Sequence, residues 1–193
     1  MSTLEQELRK EIEKQNLAKE AKVGSNVIIR KKFKEIKLQM IDEFLRHPVT
    51  IEIQAGALGP NLSNTLAGVT NLFSFIGFES GSRPIEPILD LLNKTSIEFL
   101  ESNGTKYKLR VNIPEPQEIF NVTPLPYMEG RSWAQGIERG ISGLPYFLKT
   151  TRGSRSGFGI QTDKPVRKGV KFKNTKYISS LINKYKKKFK ELK

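Results

Sequence analysis

An amphipathic helix is the element that this sequence specifies most firmly. Apolar residues recur three or four positions apart along one segment, which is the period of a single helix face, and the pattern ends at Pro48. Those residues are Ile29, Phe33, Ile36, Met40 and Phe44. We therefore predict a helix over about 28–46. Because such a face is stable in water only when it is covered, the rest of the chain must supply a core for it.

A second, thinner apolar pattern precedes that helix. Leu4, Leu8 and Ile12 lie four positions apart in a segment that is otherwise nearly all charged, and Ser2 with Glu5 fits a capping box. We predict a projecting helix over 1–24, interrupted by the Gly-Ser-Asn sequence at 24–26. A stripe this narrow would be stabilised by lying on a neighbouring subunit.

The region after Pro48 predicts the start of a sheet. Val49, Ile51 and Ile53 alternate with polar residues, as in a strand with one buried face, and the Gly-, Asn- and Ser-rich segment 56–68 indicates an exposed loop. His47, between the helix and the proline, is expected to cap the C-terminus of the preceding helix.

An aromatic cluster follows at 71–78. Phe73, Phe75 and Phe78 are either part of the core, which is the commoner case, or an intersubunit contact beside a loop. A short helix with proline in its first turn is predicted from Arg83 through Leu92.

The next segment predicts an antiparallel hairpin. Residues 96–102 and 105–113 flank Asn103-Gly104, a strong hairpin turn signal, with Tyr107, Leu109, Val111 and Ile113 on one face. Four prolines then predict a non-regular crossing over 114–128, with a subdomain or layer boundary there.

The last third predicts one further strand and two helical segments. Residues 133–141 have helical spacing despite several glycines, 146–148 are strand-like and 151–159 are loop-like. A terminal helix over 175–192 has an apolar stripe opposite a lysine-rich face. The predicted fold class is α+β: long N-terminal helices, a small antiparallel sheet with flanking helices, and a basic amphipathic C-terminal helix. We divide it into a projecting helix (1–24), an α+β core (25–162) and a basic extension (163–193).

Composition argues against most catalytic chemistry. The 193 residues include no cysteine and a single histidine, His47, which excludes thiolate metal sites, cysteine nucleophiles and metal sites built from several histidines. The acidic residues show no recognisable catalytic pair or metal spacing. We expect no enzymatic activity, no cofactor and no metal. No apolar run is long enough to span a bilayer, so we expect no membrane partner and an aqueous, cytoplasm-like compartment.

Charge is distributed unevenly along the chain. Residues 1–128 contain 16 Lys/Arg and 16 Asp/Glu, whereas 129–193 contain 17 and 4, so the formal charge of +13 lies entirely in the last third. Clustered cations neutralise phosphates or bind acidic protein surfaces. The candidate contact residues for a polyanion or an acidic partner are Arg152, Arg155, Arg167, Lys168, Lys171, Lys173, Lys176, Lys184, Lys186, Lys187, Lys188 and Lys190. The alternative is a merely solvated lysine face on a packed helix.

Three segments of the chain resemble a known family: Phe44–Ile53, Asn71–Phe78 and Gly130–Gly143. They look like virion structural proteins of long-tailed bacteriophages, and the predicted element order resembles the neck or tail-completion proteins of that group over about 28–162. The resemblance implies an α+β subunit that forms a ring of six or twelve copies at the junction of portal and tail. It also implies a virion protein assembled in the host cytoplasm, with other neck, portal or tail proteins and DNA in the channel as partners. The family has no active site from which a residue role could be transferred. The alternative is a general nucleic-acid-binding module that uses the same lysines.

Overall fold

One long helix organises the chain. The computed structural model describes residues 3–66, 71–100, 108–126, 128–139 and 173–192. Helix α1 runs without interruption over Thr3–Leu45, a length of about 65 Å at the usual rise per residue. The predicted break at 24–26 is therefore wrong. A single interior glycine costs only ~1 kcal/mol, and a Cβ at Gly24 would meet no neighbouring atom.

Helix α2, over Pro48–Gln54, replaces the strand predicted there. The prediction took Thr50 and Glu52 for solvent-facing residues, but both are fully buried. Thr50 Oγ1 lies 2.9 Å from the hydroxyl of Tyr177, and Glu52 is bonded to two backbone N–H groups. The polar and apolar residues of α2 alternate in sequence as in a strand. Its polar residues are nevertheless buried, because they bond to partners that are distant in the sequence.

The aromatic cluster belongs to the core of its own chain. It forms the short helix α3 (Leu72–Ile76), which Asn71 caps and which Gly77 ends in the left-handed conformation at φ 90°. Phe73 and Phe75 are each only 3% exposed, which favours the core alternative over an intersubunit contact. Phe78 is half-buried and meets the ring of Trp133 edge-on at 5.8 Å.

Helix α4 (Glu86–Asn93) confirms the predicted proline-initiated helix. Its C-terminal end is held against α1, because the Lys37 ammonium donates to the carbonyl oxygens of Asn93, at 2.5 Å, and Thr95, at 2.9 Å. A cation at free helix carbonyls is a favourable arrangement.

The predicted hairpin is present as the antiparallel pair β1 (Ser96–Leu100) and β2 (Lys108–Asn112). Ser96 pairs with Asn112 and Leu100 with Lys108, while the Asn-Gly turn and Tyr107 lie outside the described residues. Leu109, Val111 and Ile113 share one half-buried side, as predicted.

The proline-rich crossing is more regular than predicted. It contains helix α5 (Pro116–Asn121), with Pro116 in the first turn, and a second antiparallel pair formed by β3 (Pro124–Leu125) and β4 (Met128–Ser132). Proline is compatible with a helix start because the first N–H groups have no partner within the helix. Helix α6 (Trp133–Arg139) confirms the start of the helical spacing at Trp133. The predicted strand at 146–148 and loop at 151–159 lie outside the described residues.

The terminal helix packs into the same core as the rest of the chain. Helix α7 covers Ile178–Lys190, shorter than the predicted 175–192, and residues 173–177 form no regular element. The predicted apolar stripe is fully confirmed, since all six of its residues are buried: Ile178, Leu181, Ile182, Tyr185, Phe189 and Leu192. Phe189 contacts Phe33 of α1 with ring centroids 5.3 Å apart. Thus the helix of the predicted basic extension shares its core with the body of the protein.

Candidate functional site

The N-terminal half of α1 carries an exposed helix segment at residues 10–16. Every side chain described over 10–16 is exposed, and Ile12 is 53% exposed. The first buried residue described along α1 is Ile29, and the helix contacts α7 and α4 farther along, where Phe33 meets Phe189 and Lys37 bonds to Asn93. Ile12, one of the predicted contact residues, thus lies on a helix segment that projects from the body. The side chains of Leu4 and Leu8 lie outside the described set, although the helix backbone includes both positions.

Three of the predicted contact lysines bind acidic or polar groups of their own chain. Lys184 Nζ lies 2.7 and 2.8 Å from the carboxylate oxygens of Glu43, and Lys186 Nζ lies 2.5 Å from those of Glu115. Lys188 donates to Gln39 at 3.1 Å and lies 4.8 Å from the ring centre of Tyr185. These lysines hold α7 against α1 and α5, a role that the sequence alone did not indicate because Glu43 and Glu115 lie 71 or more positions away.

Glu43 is the centre of this internal network. It also accepts a hydrogen bond from the Tyr185 hydroxyl at 2.8 Å. Partial burial acts to raise the pKa of Glu43, but the bonds from Lys184 and Tyr185 outweigh it and lower the pKa. The carboxylate is therefore favoured, and the network is an ionised one at neutral pH.

Four of the predicted lysines remain exposed and form no ion pair within the described part of the chain. Two precede α7 and two lie at exposed positions of α7 itself: Lys173, Lys176, Lys187 and Lys190. We call them the outer lysines. Five of the predicted cations, Arg152, Arg155, Arg167, Lys168 and Lys171, lie outside the described residues.

The segment that carries the outer lysines is fixed to the body. Lys173 N–H donates to the Thr65 carbonyl at 2.8 Å, and Thr175 N–H donates to that of Ile137 at 3.0 Å. The first turn of α7 is capped from α6, because Glu138 accepts bonds from the backbone N–H and the hydroxyl of Ser179, both at 2.6 Å. The outer lysines thus occupy set positions on the surface.

Glu52 holds the loop that follows α2. Its two oxygens accept from the backbone N–H groups of Ser63, at 2.7 Å, and Leu72, at 2.6 Å, and its side chain is fully buried. Asn71 completes the loop by donating to the carbonyls of Gly56, Ala57 and Gly59. Because both carboxylate oxygens are engaged with backbone and closed to solvent, this arrangement suits a structural role.

His47 begins α2, and the predicted role as a C-cap of the preceding helix is wrong. Its Nδ1 accepts from Val49 N–H at 3.3 Å, and its Nε2 lies 3.2 Å from the Lys176 carbonyl. A neutral ring that is protonated on Nε2 satisfies both contacts. Burial lowers the pKa of His47 despite the opposing effects of the Lys176 carbonyl and Glu43.

This geometry predicts a pH-dependent stability. Because the folded pKa lies below the unfolded value, the contribution of His47 is complete above pH ~6.5 and is lost as the pH falls through the folded pKa. In thermal unfolding between pH 7.5 and 5.5, we expect the wild-type midpoint to fall more than that of His47→Asn. Asparagine can still cap α2 but does not titrate. Equal pH dependence of the two proteins would contradict this role.

No group of three or more metal-ligating side chains occurs among the described residues, and no helix within those ranges is long and apolar enough to cross a membrane. No protein family, curated protein or solved structure matches this chain.

Proposed function

We propose that this chain is a structural, non-catalytic subunit of a tailed-phage particle, a neck or tail-completion protein that forms a ring joining head and portal to tail. The observation that carries the proposal is the projecting half of α1. The resemblance of three sequence phrases to phage virion proteins supports the same assignment. The virion is the location this role implies, with assembly in the host cytoplasm.

A projecting helix of this kind has a physical use in an assembly. Most of the stability of a helix in a protein comes from tertiary packing, and here the packed half of α1 supplies the nucleus from which the exposed half extends. A neighbouring subunit that covers the apolar stripe would bury side chains that the chain itself leaves exposed. One such contact, repeated with a rotation that returns to the first subunit after six or twelve copies, closes into a ring.

The outer lysines supply the second surface of the proposed subunit. In a ring of six or twelve copies they would be repeated with the ring symmetry and would form a positive belt. Such a belt suits DNA passing through a channel or an acidic face of a neighbouring portal or tail protein.

The native mass of the purified full-length chain tests the proposal. A closed ring is expected at six or twelve copies, with no continuous series of larger species. A monomer at all concentrations would contradict it.

The exposure of the outer lysines also favours a second candidate, a general nucleic-acid-binding module. In that case the monomer binds any DNA, with an affinity that falls steeply with salt. Replacing the four outer lysines with glutamine should reduce the slope of log affinity against log salt by about 3–4, since each neutralised phosphate contributes ~0.9.

A charge-matched variant separates this surface from the general charge of the protein. Lys31, Lys32, Lys34 and Lys108 are also exposed and lie on α1 and β2. Their replacement by glutamine removes the same charge, and we expect it to change the slope by less than half as much. Equal slopes for the two variants, measured by fluorescence anisotropy with a labelled duplex, would exclude the outer lysines as a DNA-binding surface.

A further inference from the structure

A groove with an apolar floor and a charged rim lies between β2, α5 and α7. It has a volume of about 1070 Å³, and its floor is lined by Leu109 and Val111 of β2 and by Ile113, which follows β2 directly. These three side chains are only half-buried. A two-stranded pair is marginally stable without a covering layer, so this floor would gain stability from a further apolar element. The sequence predicted that these three residues lie on one side of the hairpin. It did not indicate that this side is only partly covered.

The rim of the groove carries two cations without ion-pair partners among the described residues. They are Lys94, just after α4, and Lys190, near the end of α7, and both are exposed. The other charges at the rim are Lys186 and Glu115, which pair with each other, and Glu118. An apolar segment flanked by acidic residues therefore matches the apolar floor and the two free lysines.

The N-terminal turns of α1 have this character. With about 100° between successive helix positions, positions 4, 8 and 12 form one stripe that contains Leu4, Leu8 and Ile12. Positions 5 and 11, both glutamate, border the stripe on its two sides, about 60° from position 8. Lys10 lies on the opposite side of the helix. The stripe is thus apolar with acidic borders.

The tip of α1 cannot reach the groove of its own chain. Phe33 of α1 contacts Phe189, which lines the groove. Ile12 lies 21 positions before Phe33 on the same continuous helix, which places it about 32 Å farther along the axis. Only another molecule can present this stripe to the groove.

We propose that the N-terminal turns of α1 from one subunit bind in the groove between β2, α5 and α7 of the next. This inference rests on the proposed ring and specifies its interface. The contact is heterologous, because a helix of one copy meets a different surface of its neighbour, so each subunit both donates and receives.

Disulfide trapping tests the proposal directly, since the chain has no cysteine of its own. Two full-length variants, Leu8→Cys and Leu109→Cys, are mixed and oxidised gently, with a mass tag on one of them. Because the cysteines are on different chains, a tagged–untagged dimer reports an intermolecular contact at disulfide distance. We expect this dimer in at least about tenfold excess over control pairs, because binding raises the local thiol concentration.

The controls move each cysteine to the opposite side of its own element. Lys10→Cys replaces Leu8→Cys on α1, and Arg110→Cys replaces Leu109→Cys on β2, where alternate residues face opposite sides. Equal trapping in the controls, or a predominance of disulfides between two Leu8→Cys chains, would overturn the groove as the binding site.

Native mass measured on the same variants without oxidation separates the two proposals. A ring without specific trapping overturns this interface but leaves the ring in place. A monomer without trapping overturns both.

Discussion

Replacement of Glu52 with glutamine should lower the free energy of unfolding by about 3 kcal/mol, although it changes the side-chain volume very little. The buried carboxylate accepts from Ser63 N–H and Leu72 N–H with separate oxygens. Glutamine has only one acceptor oxygen, so its amide group would face an N–H donor and leave that backbone group unsatisfied. Loss of a buried bond to a charged group carries a penalty of this order.

Urea denaturation monitored by circular dichroism measures this change. Glu35→Gln is the matched control, because Glu35 is exposed on α1 and its replacement should alter the stability by no more than about 0.5 kcal/mol. A Glu52→Gln variant as stable as the control would show that Glu52 does not hold the loop between α2 and α3.

Elements with a strong local signal could be predicted from the sequence. The apolar period of α1 from Ile29, the stripe of α7 and the hairpin around Asn103-Gly104 each depend on residues close together in the chain. In these elements the local sequence pattern agrees with the tertiary packing, so the pattern was sufficient to predict the element.

The errors arose where long-range contacts determine the structure. Helix α2 was predicted as a strand because the partners that make burial of Thr50 and Glu52 tolerable, Tyr177 and the loop to Leu72, cannot be identified from local spacing. The ion pair between Lys184 and Glu43 could not be predicted for the same reason. The sequence shows that the positive charge lies in the last third of the chain. It does not show which of these lysines bond to groups of their own chain and which remain exposed.

The packing of α7 into the core also determines how the lysines of the C-terminal region can be tested. Its deletion would remove α7, whose Ile182 and Tyr185 are fully buried, and would therefore disrupt the core. Point substitutions at the outer lysines leave that core intact and are the appropriate probes of the charged surface.

Removal of residues 1–24 should abolish self-association while the body remains folded. The deleted part of α1 includes the predicted stripe of Leu4, Leu8 and Ile12. The shortened chain keeps Phe33, Lys37 and Glu43, which contact α7 and α4. We therefore expect a monomer whose thermal unfolding midpoint lies close to that of the full-length chain.

Sedimentation velocity of the full-length and shortened chains, side by side over a hundredfold range of concentration, is the most direct measurement of whether α1 joins subunits. The account predicts a discrete ring for the full-length chain and a folded monomer for the shortened one. The same oligomer in both, or a monomeric full-length chain throughout, would contradict it.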